Sequence, residues 1–192
     1  MFLCSKTEKI TFSLIVVFLC CFLSFHISEY SNTIESAILG DNIPEFYIFF
    51  MDVSSIIVSV TPLLFFLFLF GTTSIMTNFF FDLNCKREEI MFSAGLSLIP
   101  LFFSLFFSWY NLVNYVNYDV ISNGESIKDI IYAFGMSYSD IENINLISRI
   151  LIYITFIFST IIQVREHYSK LLISTTVPSI MVILVYNIIS VL

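Results

Sequence analysis

The sequence predicts an all-α protein of the membrane, a polytopic bundle of about five transmembrane helices that fills residues 1–192 as one domain. Three observations carry the prediction. Of the 192 residues, 58% are hydrophobic and only 12% charged, against about 25% charged in a soluble domain, so a water-facing coat has too few charges to form. Apolar runs recur five times along the chain, and a helix rising 1.5 Å per residue needs about 20 residues to cross a hydrocarbon core of about 30 Å. Basic residues collect on alternate connections between those runs, as they do in membrane proteins with a fixed orientation.

The first segment, residues 10–27 (ITFSLIVVFLCCFLSFHI), follows Lys6 and Lys9 as a secretory leader would. The stretch SFHISEY offers no pair of small residues for cleavage, and the apolar run exceeds a leader core, so a retained helix is expected. The second, residues 53–80, is centred on PLLFFLFLF; it exceeds the bilayer and should tilt or reach into the interface. Just before it, FYIFFM (residues 46–51) is either an interfacial piece or the first turns of that helix. The third segment, residues 90–116, stands directly behind the charged turn CKREE. The fourth, residues 147–164, is short, and Arg149 at its start must snorkel outward or find a partner. The fifth is residues 171–192. Between the third and fourth, SIKDIIYAFG (residues 126–135) places Ile127, Ile130, Ile131 and Phe134 at helical spacing, which predicts a short helix on the membrane surface. SDIE (residues 139–142) reads as a capping box opening the helix that leads into the fourth segment.

Charge sets the expected orientation. Lys6 and Lys9, Lys86 and Arg87, and Arg165 and Lys170 fall on one side of the membrane. Glu29, Glu35, Asp41, Glu45 and Asp52, then Asp119, Glu125, Asp129, Asp140 and Glu142, fall on the other. The N-terminus is therefore expected in the cytoplasm and the C-terminus outside, with Trp109, Tyr110, Tyr115 and Tyr118 as an outer aromatic belt. A net charge of −7 gives no basis for a nucleic-acid partner, which requires clustered Lys and Arg. Neither zinc-ligand nor disulfide spacing relates Cys4, Cys20, Cys21 and Cys85. Adjacent Cys20 and Cys21 are expected to pack as small hydrophobes, while Cys4 and Cys85 are candidates for acylation near the surface. No cofactor is implied.

The Glu88-Glu89 pair poses the one catalytic question. Intramembrane hydrolases of the CAAX-protease-like family carry Glu-Glu-x-x-x-Arg with histidines on later helices. Here Ser93 stands where the arginine belongs; Phe22 and His26 make a Phe-x-x-x-His, but ahead of the glutamates; and His167 is expected on the opposite membrane face from His26. The pair is better read as a helix start, where acidic residues meet the positive end of the helix dipole, and the chain is not expected to be an enzyme. Pro62, Pro100 and Pro178 each remove a helical hydrogen bond beside hydroxyl residues (Thr61; Ser97; Thr175, Thr176 and Ser179) able to satisfy the freed carbonyls. No Asp, Glu, Lys or Arg lies near the middle of a segment, which counts against a self-contained transporter or channel.

The charged turn followed by MFSAGLSLIPLFFSLFF, the segment DIENINLISRILIY, and IIQVREHYSKLLISTTVPSIMVILV together resemble the Yip family of five-helix membrane proteins. The shared features fall here on Ala94, Gly95 and Pro100, and on His167, Ser169, Lys170 and Pro178, over roughly residues 50–192. The family's five-crossing topology agrees with the orientation above. Eukaryotic members associate with Rab-type GTPases through a long N-terminal region; this chain has nine residues ahead of its first segment and none of that region's Asp-Leu-Tyr-Gly-Pro-like motif, so GTPase binding is not expected to carry over. The resemblance is closer to the short prokaryotic type, and it implies an accessory role beside an ABC exporter or in envelope stress. Richness in Ile, Phe, Asn and Ser suits an AT-rich bacterial genome.

The expected function is thus that of a multi-pass cell-membrane protein acting as an accessory or interaction subunit, its partners being the lipid bilayer and a membrane protein or a second copy. Ala94, Gly95, Pro100 and Pro178 are the candidate helix-packing or partner-contact residues, since small residues let helices approach closely. Replacing Gly95 with Leu is expected to break partner association while the chain still inserts. Lys86, Arg87, Arg165 and Lys170 are the candidate cytoplasmic docking charges. The alternative is a small permease component or a toxin-immunity membrane protein, its proline-kinked helices enclosing a substrate path.

Overall fold

The computed structural model describes residues 5–39, 44–83, 85–116, 130–164 and 168–191. Its elements are α1 (Lys6–Leu39), α2 (Glu45–Ile75) continuing as a π-helical turn (Met76–Phe80), α3 (Arg87–Ser97), α4 (Ile99–Tyr115), a 3₁₀ turn (Ala133–Gly135), α5 (Tyr138–Val164) and α6 (Tyr168–Val191). The all-α class holds, and no strand occurs among the described residues. Among the described residues four stretches, Lys6–Leu39, Glu45–Phe80, Arg87–Tyr115 and Tyr138–Val164, are long and apolar enough to cross a membrane.

The chain forms two compact units. One comprises Met1–Phe18, Leu63–Ile99 and Ile150–Leu192, the other Leu19–Pro62 and Pro100–Arg149, so α1, α2 and α5 each give one part to each unit.

In the second unit the helices run well beyond the predicted apolar segments. The stretch after residue 27, expected as an acidic loop, continues α1 to Leu39. The reason is an inward row on that extension: Tyr30 and Ile34 pack with Val116, Ile130 and Tyr132, and the Asn32 amide donates to Met51 O at 2.9 Å and Ser55 Oγ at 2.7 Å. FYIFFM forms first turns of α2, which starts at Glu45.

The predicted surface helix over residues 126–135 is corrected for its described part; residues 126–129 lie outside the described residues. Ile130 and Tyr132 are buried while Ile131 between them is 70% exposed, an alternation of period two that belongs to extended chain. Asn111, buried on α4, accepts the Ala133 N–H at 3.0 Å, and Phe134 turns the chain with a φ of 62°. Burial pushes the Tyr132 phenol above its ordinary pKa, with Tyr138 adding to the shift. The capping box stands two residues earlier than predicted: the Ser137 N–H donates to Asp140 Oδ2 at 2.8 Å and the Asp140 N–H to Ser137 Oγ at 3.4 Å, so α5 opens at Tyr138.

The long third segment is two helices. The Leu98 N–H turns to Gly95 O at 3.2 Å, and the Ser97 hydroxyl donates to Ala94 O at 2.7 Å, occupying a carbonyl the ladder releases. Pro100 is therefore the second residue of a new helix and not a kink inside a continuous one. A proline in a first turn gives up an N–H that has no intrahelical acceptor anyway.

Candidate functional site

The basic turn and the start of α3, in the first unit, place the Glu88-Glu89 pair at a helix start. Lys86 caps α3 in an extended conformation (φ −69°, ψ 124°), and Glu88 and Glu89 occupy the first turn. Glu88, its side chain 20% exposed, pairs with Lys6 at 3.9 Å. A carboxylate held at a helix start by a solvent-exposed lysine is an ion pair of modest strength. Lys86, Arg87 and Lys170 are all exposed; Arg165 and His167 lie outside the described residues.

Behind that turn, α3 meets α1 at van der Waals limits. A Cβ on Gly95 would stand 2.6 Å from Ser13 Oγ and 2.7 Å from Ser13 Cα and Cβ. Ala94 is fully buried beside it. The Ser13 hydroxyl donates to Lys9 O at 2.9 Å within α1 and to Met91 O at 3.1 Å on α3, tying the two helices at their closest approach. Phe12 tilts against Phe92, with ring centroids 5.4 Å apart, and Lys9 Nζ lies 5.9 Å over the same Phe92 ring. Lys9 also donates to Gln163 Oε1 on α5 at 3.4 Å, and Ser159 on α5 reaches Ser93 O at 3.3 Å. Gly95 thus packs the chain against itself, and Gly95→Leu would force α1 off α3 before any partner is considered.

Pro178 is buried inside α6, among residues whose hydroxyls turn back on the helix: Ser174 to Lys170 O at 2.8 Å, Thr175 to Leu171 O at 2.9 Å, Ser179 to Thr175 O at 2.8 Å. Bonds of this kind satisfy hydroxyls in an apolar setting and bend helices. Pro100 instead lends its carbonyl to Ser148 on α5 at 2.8 Å, within the second unit. Cys85 is 8% exposed and packs with Ile90 and Leu171. That burial corrects its reading as an acylation candidate; Cys4 lies outside the described residues.

The interior so built is hydroxyl-rich. Ser13, Thr73, Thr77, Ser93 and Thr160 are fully buried. Most hydroxyls answer a carbonyl one turn back, but Thr73 Oγ1, Ser74 Oγ, Asn78 Oδ1 and Ser93 Oγ have no protein partner. No family model, curated protein or solved structure matches the chain.

Among the described residues, grooves lie beside α1 and α2 and at the start of α5, where Ser137, Tyr138, Ser139 and Glu142 line about 420 Å³. In the second unit a groove of about 510 Å³ between α1 and α2 is lined by Glu29, Asn32, Asp52 and Ser55 among others; its polar floor is occupied by the Asn32 bonds and by the Ser28–Ser55 hydroxyl pair at 2.9 Å. In the first unit a groove of about 440 Å³ lies along the C-terminal end of α2, with Arg87 at its edge. Among the described residues no three His, Cys, Asp or Glu side chains come together.

Sequence reasoning missed the polar residues that bind helix to helix: Ser13, Asn32, and Asn145, which accepts from Ser104 and Ser108. A signal exists for some of them. Ser28 and Asn32 lie four residues apart on one side of α1, and Ser104 and Ser108 do the same on α4. The Ser5-x-x-Glu8 spacing is a capping box that the structure realises, with Ser5 N–H to Glu8 Oε2 at 2.6 Å and Glu8 N–H to Ser5 Oγ at 3.3 Å.

Proposed function

We propose that this chain is a multi-pass protein of a cell membrane that works by association, as a non-enzymatic accessory subunit of a membrane complex. The observation that supports the reading most strongly is α2 at residues 56–61 in the second unit, where more than a full turn of the helix is left uncovered by the chain itself. Ile56, Ile57, Val58 and Val60 are exposed, and between them Ser59 and Thr61 spend their hydroxyls on Ile56 O at 2.7 Å and Ile57 O at 3.0 Å. Faces that meet only lipid are built of long apolar chains. Ser59 and Thr61 lie on different sides of this stretch, and at each a small hydroxyl residue among β-branched ones lets a second helix come close, because association in the bilayer rests on packing and interhelical hydrogen bonds. In the most apolar window of α2 only 22% of residues are buried within the chain.

The resemblance to the Yip family agrees with such a role and makes an ABC exporter or an envelope-stress assembly the class of partner to look for. The exposed Lys86, Arg87 and Lys170 would add charged docking points on the cytoplasmic side. A photoreactive residue at Ile57 tests the proposal. It should give one discrete protein adduct in native membranes, while the same residue at buried Met51 gives none. Lipid adducts alone from Ile57 would refute it.

A further inference from the structure

We propose that the groove at the C-terminal end of α2 binds the phosphodiester headgroup of an anionic phospholipid. The inference shares only Arg87 with the partner reading, whose main support is the exposed stretch of α2 in the second unit, and its test is separate. The groove is lined by Phe70, Gly71, Ser74, Ile75, Asn78, Phe79 and Arg87, all in the first unit.

Four features converge there. First, Arg87 is exposed and lines the groove, and among the described residues the ion pair of this turn joins Lys6 to Glu88 and does not engage the guanidinium. A guanidinium offers a planar fork of donors that matches phosphate oxygens. Second, Asn78 lines the groove and is part-exposed while its Oδ1 is shielded and unpartnered, so the amide nitrogen is its accessible end. Ser74, one turn earlier, also lacks a protein partner for its hydroxyl. Turned into the groove, the Ser74 hydroxyl and the Asn78 amide nitrogen would donate to phosphate oxygens, while Asn78 Oδ1, an acceptor, would need a donor such as a headgroup hydroxyl. Third, Asn78 belongs to the π-helical turn Met76–Phe80, whose wider ladder runs from the Phe81 N–H to Met76 O at 3.2 Å. Such turns depart from regular helix at a local cost and recur at binding sites.

Fourth, the walls are apolar and the floor is empty. Ile75 and Phe79 are exposed beside the polar edge, and a Cβ on Gly71 would meet nothing within 4 Å. The groove therefore sets donors from Ser74, Asn78 and Arg87 among apolar side chains, at the end of a membrane-length helix. No lining residue is acidic, which favours a headgroup with negative charge and no ammonium, such as phosphatidylglycerol. Basic pockets beside transmembrane helices recognise anionic headgroups on this physical basis.

The test uses the full chain in detergent, titrated with phosphatidylglycerol or phosphatidylcholine and read by native mass spectrometry. Phosphatidylglycerol should be retained in preference to phosphatidylcholine, and Arg87→Gln should weaken its retention about tenfold. Gly71→Leu, which fills open space without touching Arg87, should weaken it as much while circular dichroism and monodispersity stay as in the parent chain. Excess inorganic phosphate should leave the lipid bound. Equal retention of the two lipids, parental affinity in either variant, or displacement by phosphate would each overturn the assignment.

Discussion

Gly95→Ala separates a packing contact from a propensity effect by the sign of its outcome. The added Cβ would lie 2.7 Å from Ser13 Cα and Cβ, whereas carbon atoms rest at about 3.5–4.0 Å. Helices α1 and α3 must then part by about 1 Å, and overpacking of this kind costs about 1–3 kcal/mol. The same movement stretches the Ser13–Met91 hydrogen bond, now 3.1 Å, out of range, for about 0.5–1.5 kcal/mol more. Against these stands the helix propensity of Ala over Gly, about 1 kcal/mol. The net is a loss of about 2 kcal/mol. Reversible unfolding in mixed micelles, followed by circular dichroism, measures it. Adding Ser13→Gly removes the obstructing Oγ and Cβ, leaving the backbone Cα of residue 13, and should recover part of the loss. If Gly95→Ala is neutral or stabilising, as propensity alone dictates, the close approach of α1 and α3 is wrong.

Other residues give further tests. Asn111→Leu leaves the buried Ala133 N–H without its acceptor and should cost about 1–3 kcal/mol in the same assay; Asn114→Leu, whose amide only caps Tyr110 O on its own helix at an exposed position, should cost far less. Ser137→Ala removes the cap of α5 and should cost about 0.5–2 kcal/mol, while Ser139→Ala, predicted as the cap from sequence, should not. In a chain keeping Cys85 as its sole cysteine, a maleimide should label slowly in intact membranes and fully after denaturation, because the thiol packs against Ile90 and Leu171.

Much of this architecture was legible in the sequence, because lipid exposure writes itself into composition. The apolar runs located the helices, and Lys86, Arg87, Glu88 and Glu89 marked the start of α3 through the chemistry of helix ends. The extension of α1 past residue 27 was not legible. Ile34 and Asn32 there look like isolated residues in a polar loop until Val116, Tyr132, Met51 and Ser55 arrive from elsewhere in the chain. Ile130 and Ile131 mimicked a helical face together with Ile127 and Phe134, and only the burial of Ile130 and Tyr132 around exposed Ile131, beside the Asn111 bond to Ala133, marks extended chain. Gly95 was picked out as a small residue for close approach, but which surface approaches it depends on Ser13, distant in sequence. The groove at Gly71, Asn78 and Arg87 carries no motif, since it is assembled by a π turn that the sequence does not announce.

The proposal of an accessory subunit meets its most direct test in composition at the native site. The tagged chain would be extracted from native membranes with its surrounding lipid, after crosslinking, and the co-purifying proteins quantified. A second membrane protein in a fixed ratio near one, lost when Ser59 and Thr61 are both replaced by Phe in the exposed stretch of α2, is the predicted result. Recovery of the chain alone or only with copies of itself, unchanged by those substitutions, would contradict it.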